Sequence, residues 1–136
     1  MTRNLRFAGI TLMMLAFSSL IFAAVNIQYF TAKNVSDGVL IEWKTLDEGG
    51  VTKYELERSM NTPDNFLYVN TVSANGNNSY YSYTDNSVTT RGATLYYYRL
   101  KCKDANGNYT YSNSITVSHI ISGIRSTWGS IKAIFR

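Results

Sequence analysis

The side chains able to do chemistry are few in kind and poorly clustered. His119 is the single histidine among 136 residues, so no histidine cluster can hold a metal. Serine and aspartate are plentiful, but no G-x-S-x-G nucleophile motif is present. Glu55 and Glu57 stand two apart, which on a strand places them on one face about 7 Å apart. Paired carboxylates in sugar-cleaving sites use separations of this kind. A solvated strand face opposite basic neighbours uses the same spacing, and that is the expectation here. Asp104, Asn106 and Asn108 alternate as oxygen ligands do at the start of a calcium loop. However, the glycine falls at the wrong position, and position twelve is Ile115 rather than a glutamate. A tight hairpin turn through Asn106-Gly107 accounts for the same residues without a metal. These readings predict no catalytic residue, no metal and no cofactor, and a chain that is not an enzyme.

Binding is the chemistry the composition favours. The chain holds eleven tyrosines. Those sharing strand parity with Trp43 and Tyr98 are expected in the core. Tyr97 is expected to point outward, and Tyr80, Tyr109 and Tyr111 are candidates to join it. Tyrosine offers rigid amphipathic contact area, so an exposed strip could stack on sugar rings or meet a protein partner. Tyrosines also cover sheet faces simply because they pack well there, and both readings remain open. Cys102 is the only cysteine, which rules out an intrachain disulfide. It shares parity with Tyr98 and Leu100 and is expected to behave as a buried small hydrophobe.

The elements that must position these residues are strands. Seven runs with period-two alternation occupy 25–35, 39–45, 51–59, 66–74, 79–85, 95–103 and 109–118, separated by turn residues such as Ser36-Asp37-Gly38 and Glu48-Gly49-Gly50. Alternation, β-branched and aromatic enrichment, and this turn spacing predict an all-β sandwich. Trp43, in phase with Val39 and Ile41, is the expected centre of its core. Before this domain, residues 1–24 read as a secretory signal helix: Arg3 and Arg6 precede an apolar run closed by Ala23 and Ala24. A retained N-terminal anchor is the alternative for that segment.

Charge is distributed unevenly. The whole chain carries +4, but two of its positive charges belong to the signal. Between Val25 and Ser122 eight basic residues face nine acidic ones, so the domain is close to −1. It therefore shows no electrostatic footprint for nucleic acid. Residues 123–136 add Arg125, Lys132 and Arg136 with no acid. In that tail Ile124, Trp128, Ile131 and Phe135 recur at helical spacing. Three readings stand: a sorting tag read by export or attachment machinery, an interfacial membrane segment, or packing of Trp128 and Phe135 onto the domain.

Certain segments carry a family resemblance: Ile41-Glu42-Trp43, Tyr54-Glu55-Leu56-Glu57-Arg58-Ser59, Tyr96-Tyr97-Tyr98-Arg99-Leu100, then Asp104-Ala105-Asn106-Gly107 and Tyr111-Ser112. With them the chain resembles fibronectin type III domains of bacterial secreted and surface proteins over about Val25 to Val117. The resemblance implies a seven-stranded immunoglobulin-like sandwich used as a spacer, adhesion unit or partner-binding surface. The expected organisation is thus a signal peptide (1–24), a fibronectin type III-like β-sandwich (25–118) and a basic amphipathic tail (119–136). The expected function is protein binding or surface assembly outside the cell, at its surface or in the periplasm, with the tail residues Ile124, Arg125, Trp128, Ile131, Lys132, Phe135 and Arg136 as the address. The mature domain is not expected to span a membrane. The alternative is a small carbohydrate-binding or adhesion protein using Tyr80, Tyr97, Tyr109 and Tyr111.

Overall fold

The computed structural model describes residues 24–88 and 94–119. The expected signal helix and the tail recognition residues Ile124, Arg125, Trp128, Ile131, Lys132, Phe135 and Arg136 lie outside them. The described residues form only strands and their connections: β1 (Asn26–Val35), β2 (Gly38–Asp47), β3 (Val51–Met60), β4 (Leu67–Ser73), β5 (Tyr80–Asp85), β6 (Thr94–Asp104), β7 (Tyr109–Tyr111) and β8 (Ile115–His119). No helix among them is long and apolar enough to cross a membrane.

Two antiparallel sheets result. One has the order β1-β2-β5; the other has the order β4-β3-β6-β7, with β8 pairing to the first half of β6. The run expected as one strand over 109–118 is therefore two, giving eight strands rather than seven. The cause is local. The Leu100 N–H donates to the Ser112 hydroxyl at 2.8 Å, a side-chain oxygen standing where a ladder would offer a carbonyl. That hydroxyl in turn donates to the Asn113 carbonyl. β6 continues unbroken from Thr94 to Asp104 while its partner breaks between Tyr111 and Ile115.

Alternation decides what goes inside. In β2, Val39, Ile41, Trp43 and Thr45 are all buried, while Leu40, Glu42 and Lys44 are partly exposed. In β6, Tyr96, Tyr98, Leu100 and Cys102 are buried. Successive strand residues point to opposite faces, so one apolar parity per strand suffices to close two sheets over a shared core. Trp43 sits at its centre with no exposure. It stacks on Tyr81 of its own sheet at 5.1 Å and meets Tyr54 of the other sheet edge-on at 5.8 Å. Burial pushes the Cys102 thiol up to about 12, so it is a packed hydrophobe rather than a nucleophile.

Two carboxylates are buried in this interior, besides Glu57, which is buried on the outer face rather than solvated, and neither interior one was expected from the alternation. Asp85, at the end of β5, accepts from the Tyr98 hydroxyl at 2.8 Å, from the Ser87 hydroxyl at 2.6 Å and from the Arg58 guanidinium. Arg58 and Tyr98 belong to the larger sheet and Asp85 to the smaller, so this network pins the sheets together. Burial works against the Asp85 charge, but the hydrogen bonds from Ser87, Arg58 and Tyr98 outweigh it and hold the carboxyl below its ordinary value. Glu48 accepts from the Tyr81 hydroxyl at 2.5 Å and from Thr45 Oγ1 at 3.1 Å. Gly38 lies against the Asp85 backbone at φ +147°. A Cβ there would come within 2.1 Å of the Asp85 carbonyl oxygen, so glycine is required.

Candidate functional site

The parity that buries Tyr96, Tyr98, Leu100 and Cys102 places Tyr97, Arg99, Lys101 and Lys103 on the outer face of the larger sheet. Register adds the neighbours. Lys53 faces Lys103, Glu55 faces Lys101, and Glu57 faces Arg99 across β3 and β6. On the other side, Tyr109 pairs with Lys103 and Tyr111 with Lys101. The outer face is thus a grid of cations and carboxylates bordered by two tyrosines.

Its contacts are specific. Arg99 Nε donates to Glu57 at 2.8 Å, while its guanidinium lies between the rings of Phe66 (4.2 Å) and Tyr111 (3.9 Å). The Lys103 ammonium donates to Glu55 at 3.2 Å. Lys101 behaves differently. Its ammonium lies 4.2 Å above the Tyr109 ring and 5.9 Å from that of Tyr111, and it forms no ion pair among the described residues. Cation–π attraction at a surface is worth about 0.5–1 kcal/mol per contact, enough to orient the rings without covering them. Tyr109 and Tyr111 meet edge to face at 5.4 Å and keep 51% and 44% of their surface exposed. Four of the seven described basic residues lie on this face against two carboxylates, although the described residues as a whole are net acidic. The whole-domain charge hid this local surplus.

The expected binding tyrosines separate. Tyr109 and Tyr111 form one pair. Tyr97 shares their sheet face farther along β6 and is only partly exposed. Tyr80 is exposed but pairs with Lys44 on the smaller sheet, on the opposite side of the sandwich. One strip of four tyrosines does not exist. Sequence reasoning missed Arg99, Lys101 and Phe66 as partners of the tyrosine pair. The signal was there in part, since the YYYRLKCK run puts Tyr97, Arg99, Lys101 and Lys103 in one phase.

Around this face lie features without comparable chemistry. Tyr111 also borders a cleft of about 640 Å³ between the edges of the two sheets, lined by Val25, Ile27, Phe30 and Ile115. Asp104 accepts the N–H groups of Asn106 and Asn108, each at 2.9 Å, and the Asn108 side-chain amide. Its carboxylate therefore holds the turn, with Gly107 at φ +85°. His119 ends β8, its Nδ1 at 2.6 Å from Asn34 Oδ1. Glu55 and Glu57 are engaged by Lys103 and Arg99. No group of three or more potential metal ligands occurs among the described residues.

No family model matches the chain, and no curated protein matches it in sequence. Among solved structures it is similar to pectate lyase PelI from Erwinia chrysanthemi, crystallised in complex with tetragalacturonic acid. The TM-score is 0.53 and the identity 21%, over 70% of this chain and 28% of that one, so the likeness is one of fold. The expectation that the chain is not an enzyme is corrected by this match. It rested on missing nucleophile and histidine constellations, which test only some classes of catalysis, whereas the fold occurs here within an enzyme chain. The chain spans little more than a quarter of the length of that enzyme.

Proposed function

We propose that this chain is a secreted or cell-surface, fibronectin type III-like β-sandwich that binds a glycan on the outer face of its larger sheet. The observation that carries the reading is the Tyr109–Tyr111 pair, oriented by Lys101 and Arg99 yet half open to solvent. Rings held in this way offer flat apolar faces with polar edges, which suit the C–H faces and hydroxyl rims of sugars. The structural neighbour was crystallised with an oligosaccharide, which favours a glycan over other ligands of a tyrosine surface. The fibronectin type III reading is supported by three strands packed on a larger sheet whose last strand is split. The resemblance segments Tyr96 to Leu100 and Asp104 to Gly107 fall in β6 and its hairpin turn. Export is proposed from residues 1–24.

The test uses the full chain on a panel of soluble and immobilised polysaccharides. Tyr109→Ala and Tyr111→Ala should each weaken binding about tenfold, near 1.4 kcal/mol. Tyr80→Ala, on the other sheet, should leave it unchanged. Loss of binding with Tyr80→Ala alone would place the surface on the wrong sheet. If no glycan binds, protein binding or surface assembly addressed by residues 123–136 becomes the reading to pursue. Surface retention of a chain ending at Ser122 tests it.

A further inference from the structure

We infer that the glycan taken by this face is an acidic one, carrying one carboxylate per sugar ring, and that Lys101 is the residue that reads the carboxylate. The inference rests on the glycan-binding reading above and specifies its ligand.

Lys101 is singled out by what its neighbours do. Arg99 is committed to Glu57 and Lys103 to Glu55, at 2.8 and 3.2 Å. Glu55, which stands opposite Lys101 in the ladder, is thereby drawn to Lys103 instead. The Lys101 ammonium is left over the Tyr109 ring with no ion pair among the described residues. Lys53 likewise forms no ion pair among them, and it faces Lys103 directly across the ladder. Like charges placed opposite each other on a sheet are destabilising. A ligand anion beside Lys53, Lys101 and Lys103 would relieve that repulsion. The same ligand's ring would lie on the tyrosines that the cations border.

The pattern also selects the density of charge. Glu55 and Glu57 interrupt the cations, so a polymer with closely spaced phosphates would meet two carboxylates along the same face. A sugar chain with one carboxylate per ring can present anions to Lys101 and Lys53 while its apolar faces cover tyrosine. A charge-assisted hydrogen bond from an ammonium to a carboxylate is roughly twice as strong as a neutral one.

The experiment compares three probes on the full chain by calorimetry: an oligogalacturonate, its fully methyl-esterified form, and a neutral oligosaccharide. The esterified form keeps the ring and removes the charge. The free acid should bind at least about tenfold more tightly than the ester, and its affinity should fall as salt is raised. Lys101→Gln should remove most of that difference, weakening the acid far more than the ester, whose binding loses only the orienting contact to the Tyr109 ring, in a protein whose circular dichroism and melting are unchanged. Equal binding of acid and ester would overturn the acidic-ligand inference while leaving glycan binding intact. An unaltered acid preference in Lys101→Gln would overturn the role of Lys101. Binding of none of the three would overturn the inference together with the glycan reading beneath it.

Discussion

The two faces of β6 make opposite use of one alternating sequence. Inward, Tyr96, Tyr98, Leu100 and Cys102 have 2% exposure or less and join the core around Trp43. Outward, Tyr97, Arg99, Lys101 and Lys103 remain partly exposed and meet ions and aromatic rings. Both faces carry tyrosine, and each meets an arginine–carboxylate pair, Arg58–Asp85 from β3 and β5 inside and Arg99–Glu57 outside, yet the pairs do different things. Asp85 is nearly inaccessible and bound by groups from the opposing sheet, so its network holds the fold. Glu57 is matched to Arg99 on its own sheet, where the pair positions a surface ring. Residue type alone does not separate scaffold from site. Parity and the sheet of the partner do.

The comparison breaks first at Trp43. Trp43→Ala removes the ring shared by both sheets and should cost about 3–5 kcal/mol in chemical denaturation, as large aromatic deletions do. An unchanged midpoint would mean that the inward phase of β2 is misassigned. Next is Asp85. Asp85→Ala leaves Arg58 and the Tyr98 hydroxyl without their shared acceptor and should cost about 3 kcal/mol. Its pH dependence follows from the lowered carboxyl. A group whose folded value lies below its ordinary 3.8 contributes stability that is present above that value and lost as pH falls through the folded one. Acid titration of the parent should therefore show a loss of stability below about pH 4 that is reduced in Asp85→Ala. Arg99→Ala should have the smallest effect on stability, about 1 kcal/mol or less for a partly exposed pair. It should nonetheless release Tyr111, seen as faster ring averaging by NMR, with Tyr98 unaltered.

Much of this was legible in the residues. Period-two alternation located seven strand runs and the inward phase of β2 and β6, because a sheet has only two faces and one must be apolar. Trp43, Tyr98 and Cys102 were placed inside on that ground alone. Asp85 and Glu48 were not, because nothing local marks a carboxylate whose partners arrive from another sheet or a distant strand. The split of the last strand escaped for a related reason: it depends on a Ser112 hydroxyl meeting Leu100, twelve residues away in the chain. For the site, Tyr109 and Tyr111 were named, but the partnership with Lys101 required the β6–β7 register. Tyr80 was grouped with them because parity within a strand says nothing about which sheet the strand joins.

The most direct test of the binding account is chemical-shift mapping on the full chain titrated with an oligogalacturonate. The account expects progressive shifts at Lys101, Tyr109 and Tyr111, with Lys44 and Tyr80 on the opposite sheet unmoved. Shifts confined to the Lys44–Tyr80 face, or none at saturating ligand, would contradict it.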